Sequence, residues 1–291
     1  MLIVTPVSAG AVRYFLEAGA EGRWVGHGSD ALGLAGTAAP GQLEAVLDGR
    51  APDGDDLVEH RLRNRRAGWD LTLAAPKSLS LLGALSPPDA AASIDGVQRG
   101  AVEDALDYLE RRSSCLRGGK EVPSVGLVGA AFEHRASSAG EPHFHTHVLI
   151  ANLGRTEDGP WSALHGNSIW PHQRAMGAIY ELALRERMRV EGWDVGWTLS
   201  ARGLADLADV PRSAVEAASS RHMRIAEGLD EFMAPSRGTR TATKHVTRDE
   251  VRDLGWRDRA AAAGFGAAEA GELAHRAWSP ALSPDSPPVE G

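Results

Sequence analysis

The stretch HRASSAGEPHFHTHVLIAN, residues 134–152, holds four histidines and decides the fold of this chain. Successive side chains of a β-strand point to opposite faces of the sheet, so a strand over FHTHVLIA puts His143, His145 and His147 on one face. Upstream, VPSVGLVGAAFEH predicts a second strand that ends at His134, and the linking ASSAGEP has the composition of a turn. An antiparallel hairpin of these strands would bring His134 beside the other histidines.

The spacing of these histidines indicates a metal site. An isolated histidine is more often a surface or core residue, but four within fourteen residues, three of them at a period of two, favour metal binding. Three neutral imidazoles from adjacent strands leave open positions on a divalent cation, which a catalytic metal needs. The alternation leaves open which three bind, because His143 faces the same way. Pro142 suggests that the strand begins there and that His143 lies nearer the rim.

The length and composition fit a globular protein with one large domain or two small ones. The chain has 291 residues, of which 43% are hydrophobic, enough for a sizeable core. Its one cysteine, Cys115, excludes an internal disulfide framework and fits a reducing compartment. The N-terminal MLIVTPVSAG does not resemble a signal peptide, and no run of eighteen apolar residues predicts a membrane span. We therefore expect a cytoplasmic protein.

The chain is acidic overall, but its charge is unevenly distributed. A net charge of −8, taken alone, argues against a nucleic-acid-binding protein. Two basic stretches, residues 60–66 and 237–248, stand out against it, and either could be a solvated face or an interface. Their basic residues include Arg61, Arg63, Arg65, Arg66, Arg237, Arg240 and Lys244.

Predicted strands and helices alternate along the chain. LIVTPV at the N-terminus is a predicted strand, followed by a helix over AGAVRYFLEAG with Tyr14 on its apolar face. The strand WDLTLA places Asp70 on its polar face, which is costly unless the carboxylate is paired or functional. Pro76 ends this strand before a helix over KSLSLLGAL, and the glycine-rich WVGHGSDALGLAG is predicted as a loop. Two long helices are expected, over residues 89–113 and 173–191.

This order of elements favours an α+β fold, with a central antiparallel sheet and helices packed on it, over a doubly wound sheet. No Walker-type Gly-x-x-x-x-Gly-Lys-Ser/Thr motif is present, so no P-loop nucleotide-hydrolysing module is indicated. The C-terminal SPALSPDSPPVEG is rich in proline and serine, which is typical of a linker. We therefore expect one domain over residues 1–275, and a linker or the start of a further region over residues 276–291.

Four separated motifs point to a known family. They are the N-terminal strand and helix with Tyr14, then GWDLTLAAPKSLSLL, then His134 with PHFHTH and the Ala151-Asn152 pair, and last PWSALHG followed by GAIYELALR and EGWDVGW. In this order and combination the chain resembles the relaxase domain of the TrwC/TraI type, within the His-hydrophobic-His endonuclease superfamily that nicks plasmid DNA for conjugation. The resemblance covers roughly residues 1–270.

The resemblance implies a role for each of these residues. Its metal ligands carry over to His134, His145 and His147, while His143 stands where such proteins often have glutamine. Its active-site aspartate carries over to Asp70, and its nucleophile to Tyr14. Tyr14 is followed by a phenylalanine here, and no other tyrosine occurs in the first hundred residues, so one reactive tyrosine is expected.

The implied reaction is metal-dependent, strand-specific nicking and rejoining of DNA at the transfer origin of a plasmid or integrative element, through a 5′-phosphotyrosyl intermediate. The implied cofactor is one divalent metal ion, with Mg or Mn expected; histidine donors also suit Zn, Ni or Co. The implied partners are single-stranded DNA at the origin, with an adjacent hairpin, and relaxosome accessory proteins. The two basic stretches are then the candidate DNA contacts.

Two other functions fit part of the pattern. A zinc-dependent hydrolase of a small molecule could use the same three histidines with water and would not need Tyr14. A catalytically silent relative could recognise a DNA hairpin without cutting it. A covalent protein–oligonucleotide adduct would support the relaxase alone.

Overall fold

A computed structural model describes residues 1–7, 21–58, 66–117, 119–137, 139–157, 159–199, 204–219 and 255–280. Its strands are β1 (Leu2–Val7), β2 (Gly22–Val25), β3 (Thr37–Ala38), β4 (Gly68–Ala74), β5 (Ser114–Arg117), β6 (Lys120–Pro123), β7 (Gly129–Ala136), β8 (Pro142–Ala151), β9 (Gly154–Arg155), β10 (Trp161–Ser162), β11 (Trp197–Leu199) and β12 (Ala205–Leu207). Its α-helices are α1 (His27–Asp30), α2 (Pro40–Leu47), α3 (Lys77–Leu85), α4 (Pro88–Glu110), α5 (Gln173–Val190), α6 (Arg212–Ala217), α7 (Trp256–Ala262) and α8 (Ala267–Ala277).

The central element is an antiparallel sheet. Among the described residues its strands follow the order β1-β4-β8-β7-β2-β3, and every neighbouring pair is antiparallel. Helices pack on both of its faces, so the expected α+β class is confirmed. β7 and β8 form the expected hairpin, and the long helices expected over 89–113 and 173–191 correspond to α4 and α5.

The two faces of the sheet carry separate hydrophobic clusters. On one face, Trp69, Leu71 and Leu73 of β4 pack with the apolar sides of α3, α4 and α5. On the other face, Phe132 and Leu149 pack with α2. Directly opposed residues of an antiparallel pair share a face, so the histidines of β7 and β8 extend the second face beyond its apolar cluster.

At Gly68, where β4 begins, the backbone of β8 leaves no room for a side chain. A Cβ atom at this position would lie 2.0 Å from the carbonyl oxygen of Ile150 and 3.2 Å from the Cα of Ala151. Atoms of the neighbouring backbone cannot rotate away as the end of a side chain can. Only glycine therefore allows β4 to pair with β8 in the register that the site requires.

The glycine-rich segment that is predicted as a loop contains part of a sheet strand. Trp24 and Val25 belong to β2, which pairs with β7 and β3, and both side chains are buried. The loop prediction is wrong for these two residues and for the short helix α1 that follows them. The first glycine of the segment belongs to the turn after the strand, because Gly26 has a φ of 89°, in the left-handed region that favours glycine.

The packed structure continues past residue 275. Helix α8 ends at Ala277, and the ring of Trp278 stacks on that of Trp193 at a centroid distance of 5.5 Å. The division of the chain at residue 275 stays a prediction, and residues 281–291 lie outside the described residues. The predicted first helix, with Tyr14, also lies outside them.

No helix within the described ranges combines the length and the apolar composition that a membrane span requires.

The close approach at Gly68 makes a stability prediction. We expect Gly68→Ala to lower the free energy of unfolding by about 1–3 kcal/mol, the usual cost of overpacking. Gly96→Ala is the matched control, because Gly96 is an exposed position of α4 with no atom near its Cβ site. That change should raise stability by about 0.5–1 kcal/mol, since alanine restricts the unfolded chain. Urea unfolding measures both, and equal stability of Gly68→Ala and the wild type would refute the steric argument.

Candidate active site

Three histidines form a triangle on the second face of the sheet. His134 on β7 lies directly opposite His145 on β8, and His147 follows on the same face of β8. The ring centroids of His134 and His145 are 5.2 Å apart, those of His145 and His147 are 5.2 Å apart, and those of His134 and His147 are 5.4 Å apart. The hairpin thus brings together the three histidines that the resemblance names.

The spacing of the triangle suits three ligands of one ion. With metal–nitrogen distances near 2.1 Å and tetrahedral angles, the centroids of two imidazole ligands lie roughly 5 Å apart. Among the described residues, however, no group of three or more His, Cys, Asp and Glu side chains is placed so that it could hold a metal ion as it stands. The ring spacing and the donor chemistry carry the assignment, and small rotations of the rings would be needed to direct three nitrogens at one point.

Asp70 holds the ring of His147. Its carboxylate oxygens lie 2.9 and 3.1 Å from Nδ1 of His147, and the hydroxyl of Thr72 lies 3.2 Å from the same atom. Asp70 is buried on β4, two residues from the position opposite His147. A carboxylate only accepts hydrogen bonds, so Nδ1 carries the proton and Nε2 keeps its lone pair for a metal. This contact explains an aspartate inside an otherwise apolar strand.

His145 is held in the same tautomer by the backbone. Its Nδ1 donates a hydrogen bond of 2.8 Å to the carbonyl oxygen of His143, which again leaves Nε2 free. Burial and, to a smaller extent, the neighbouring histidines lower the pKa of His145 to about 3, against the opposing effect of this hydrogen bond. The ring is therefore neutral at physiological pH, the form that a metal ligand needs.

His143 lies beside the triangle. Its ring stacks on that of His145 at a centroid distance of 4.8 Å, so it shares the face that strand alternation predicts. Burial lowers its pKa to about 4, and the positive charge of Lys77 adds to this effect. Strand alternation could not decide between four histidines. The mutual ring contacts of His134, His145 and His147 now favour that set.

Most of the other predicted site residues lie outside the described residues. These are Tyr14, Arg61, Arg63, Arg65, Arg237, Arg240 and Lys244. Arg66 is described, and it is exposed with its guanidinium 5.6 Å from the ring centroid of Trp69. Its carbonyl oxygen accepts a hydrogen bond of 3.1 Å from the Asn152 side chain, which ties this segment to the end of β8.

The turn after β4 and the first residues of α3 form three hydrogen bonds with the start of the histidine strand β8. The sequence alone does not reveal this role. The ammonium of Lys77 donates a hydrogen bond of 2.7 Å to the carbonyl oxygen of Pro142. The backbone N–H of Phe144 donates to the Ser80 hydroxyl at 3.0 Å, and the N–H of Ala75 donates to the carbonyl of Phe144 at 2.9 Å. The composition APKSLS gives no sign of these partners, because they lie more than sixty residues away.

A family model described as TrwC relaxase matches residues 4–262. The chain belongs to the TrwC relaxase family. The match extends over most of the sequence and includes every element of the histidine site. The expected family is therefore confirmed, and with it an enzyme of the relaxase type.

The curated relatives of this TrwC relaxase family member are much longer proteins. The multifunctional conjugation protein TraI of Escherichia coli is 30% identical over 311 aligned positions, which cover 95% of this chain and 17% of TraI. The protein of the same name from Escherichia coli strain K12 is 29% identical over 279 positions, covering 87% of this chain and 15% of the relative. The chain thus spans less than a fifth of their length.

Solved structures of TrwC share the fold of this TrwC relaxase family member. A copper-bound structure of the conjugative relaxase TrwC with oriT DNA superposes with a TM-score of 0.77 at 26% identity, covering 92% of this chain and 100% of the protein chain in that structure. A structure of TrwC with a 27-mer DNA that comprises the recognition hairpin and the cleavage site gives a TM-score of 0.74 at the same identity and coverage.

The triangle predicts a metal-binding experiment. Wild-type protein should bind one divalent cation, and the double variant His145→Ala/His147→Ala should bind none, because two of three ligands are gone. The matched control is His143→Gln, which should bind as the wild type does. Titration with Co²⁺, followed by its visible absorption, measures all three. Unchanged metal content in the double variant would overturn the site, and loss in His143→Gln as complete as in His134→Ala would overturn the choice of ligands.

The Asp70 contact makes a separate prediction. Asp70→Asn should weaken metal affinity by about 10–100-fold, the usual effect of removing a partner that orients a ligand histidine. Thr72→Val removes the weaker contact to the same nitrogen and should change affinity less. Competition with a metal chelator compares the two variants. An Asp70→Asn affinity equal to that of the wild type would mean that the carboxylate does not orient His147.

Proposed function

We propose that this chain is the DNA-nicking domain of a conjugative relaxase, which cuts and rejoins one strand at the transfer origin of a plasmid or integrative element. The observation that carries the proposal is the triangle of His134, His145 and His147, with Asp70 behind His147, in a chain of the TrwC relaxase family. A hydrolase of small molecules would share the triangle but has no support from the family, and the solved relatives are described with oriT DNA.

The proposed substrate is single-stranded DNA at the origin beside a hairpin. TrwC is described in complex with oriT DNA that comprises a recognition hairpin and the cleavage site. In our proposal Arg66, the other basic residues of 61–66 and those of 237–244 contact DNA phosphates, which makes binding weaken as salt rises. Relaxosome accessory proteins are proposed partners at the same origin, and the cytoplasm is the proposed compartment because the substrate is DNA.

The three histidines would hold one divalent cation. TrwC is described in copper-bound, metal-bound and metal-free forms, which supports a metal at this position without naming the physiological ion. We propose Mg or Mn as the working ion, while imidazole nitrogens also suit Zn, Ni or Co. When bound, the ion polarises the scissile phosphate and offsets the charge that develops on its oxygens. The protein contributes neutral imidazoles in a fixed tautomer.

Tyr14 is the proposed nucleophile. Tyr180 is fully buried and donates to the Gln98 side chain, and burial raises its pKa, so it cannot reach a substrate. Tyr108 lies on α4 with its hydroxyl 3.0 Å from Nδ1 of His172, and α4 packs on the face of the sheet opposite the histidines. Tyr14 follows β1, the strand paired with the one that carries Asp70.

The proposed reaction is a transesterification. The Tyr14 phenol oxygen forms a bond to phosphorus, the bond between phosphorus and the 3′-oxygen breaks, and the phenol proton is lost while the leaving oxygen gains one. The products are a 5′-phosphotyrosyl link and a free 3′-hydroxyl, and the reverse reaction rejoins the strand. A phenol with a pKa of about 10 is a weak nucleophile at neutral pH, so it needs an acceptor for its proton. Asp70 is engaged with His147, which favours a positioning role over direct proton abstraction.

The covalent step provides the test. A single-stranded oligonucleotide with the origin sequence should form a stable adduct with the wild type, and Tyr14→Phe should form none while still binding DNA and metal. The substitution removes one oxygen, so stability should change little. Tyr108→Phe is the matched control and should form adducts as the wild type does. Adducts are counted on denaturing gels.

Three outcomes separate the alternatives. An adduct with Tyr14→Phe would assign the chemistry to another residue. Absence of any adduct with the wild type, together with tight hairpin binding, would favour a silent binding module. Hydrolysis of small esters without DNA binding would favour the hydrolase.

A further inference from the structure

The ammonium of Lys77 lies beside the start of β8, the strand of the histidine site, and has no carboxylate partner among the described residues. Lys77 is the first residue of α3 and its side chain is half-buried. Its Nζ donates one hydrogen bond, to the carbonyl oxygen of Pro142 at 2.7 Å. Within the described residues it forms no ion pair. The carboxylate that acts on its pKa is that of Glu141, which is paired with Arg259 at 3.6 Å. Two of the three N–H groups of Lys77 therefore have no hydrogen-bond acceptor among the described residues.

This position is energetically unusual for a lysine. Lysine is rarely buried unless it is paired, because taking an ammonium out of water costs free energy that a carbonyl oxygen offsets only in part. Burial accordingly lowers the pKa of Lys77 to about 8, with Glu141 opposing the effect. At neutral pH Lys77 is therefore still protonated in most of the protein molecules. A cation kept in such a place is typical of a site whose anion arrives with the ligand.

The ammonium is also close in the fold to the proposed metal ligands. It contacts the carbonyl oxygen of Pro142, the residue before His143, and the ring of His143 stacks on that of His145 at 4.8 Å. Ala74, the last residue of β4, lies directly opposite His145, and Lys77 follows three residues later. The ammonium therefore contacts β8 three residues before a proposed metal ligand.

We propose that Lys77 binds a phosphate of the substrate strand adjacent to the scissile phosphate, through the two N–H donors that Pro142 does not use. The inference rests on the proposed nicking function and adds a substrate contact to it. A DNA strand that lies over His134, His145 and His147 carries a phosphate at every nucleotide. The phosphate beside the scissile one supplies the negative charge that the ammonium lacks, and the charge-assisted contact fixes the register of the strand on the metal site.

A purely structural role for Lys77 makes different predictions. As a clamp, Lys77 would only hold the carbonyl of Pro142 and hence the start of β8. Lys77→Gln separates the two roles, because glutamine keeps an N–H donor for that carbonyl and loses the charge. Lys77→Arg keeps the charge. Ser80→Ala is the matched control for the clamp, since it removes the acceptor for the Phe144 N–H and leaves the Lys77 charge in place.

The experiment measures binding of origin oligonucleotides in which one phosphate at a time, on either side of the nick, is a neutral methylphosphonate. With the wild type, one replaced phosphate should weaken binding about 10-fold, the scale of a charge-assisted hydrogen bond. Lys77→Gln should bind the natural oligonucleotide about 10-fold more weakly and should be insensitive to that one replacement. Lys77→Arg and Ser80→Ala should keep the wild-type sensitivity. The slope of log affinity against log salt should fall by about 0.7 in Lys77→Gln.

The outcomes that overturn the inference are distinct from those that overturn the function. If the wild type forms adducts but Lys77→Gln responds to every replacement as the wild type does, with an unchanged salt slope, the phosphate contact does not exist. If Lys77→Gln loses metal or stability to the same extent as Ser80→Ala and keeps its phosphate response, Lys77 is a clamp. Should Lys77→Gln fail to fold, Lys77→Met takes its place in the phosphate scan, because methionine keeps the unbranched side chain and removes the charge. Wild-type sensitivity at every position in that variant would overturn the contact.

Discussion

The pairing register of β7, β8 and β4 is the constraint on which the candidate site depends. It sets His134 opposite His145, and Thr72 opposite His147. A slip of one residue in any of these pairs would turn a metal ligand to the opposite face, because the side-chain period of a strand is two. Close backbone packing and three hydrogen bonds support this register. Gly68 admits the neighbouring strand where a side chain would collide, and the turn after β4 together with the start of α3 holds the start of β8 by three hydrogen bonds.

The two faces of the sheet divide stability from chemistry. The face of Trp69 and Leu71 is covered by long helices and supplies most of the buried apolar surface. The opposite face ends in imidazoles, a carboxylate and a hydroxyl, which bury poorly unless each has a partner. Asp70 and the backbone of His143 supply those partners. Polar groups can therefore be held in a fixed orientation without being part of the main core.

The sequence predicts the local elements well and the long-range contacts poorly. The hairpin, the strand with Asp70 and the two long helices follow from side-chain alternation, helical spacing and turn composition, which are properties of neighbouring residues. Alternation cannot choose between four histidines on one face, and it took the resemblance to name three. The glycines that follow Trp24 give its strand the composition of a loop. Trp278 packs on Trp193, a residue far away in the sequence, and no local pattern indicates such a contact. The contact of Lys77 with Pro142 could not be predicted for the same reason, since the two residues are 65 positions apart.

The strand order also bears on when, during synthesis and folding, the site comes into existence. Asp70 and His147 are 77 residues apart in the chain, and β4 must wait for β8 before it gains its neighbour on that side. Such distant pairings make folding slow, because the entropy of closing long loops is lost before the contacts form. A nascent chain that has not yet released β8 from the ribosome holds only one of the three proposed ligands, His134. The proposed metal centre is thus assembled late and in one step, so a partly synthesised chain carries no complete set of the proposed ligands.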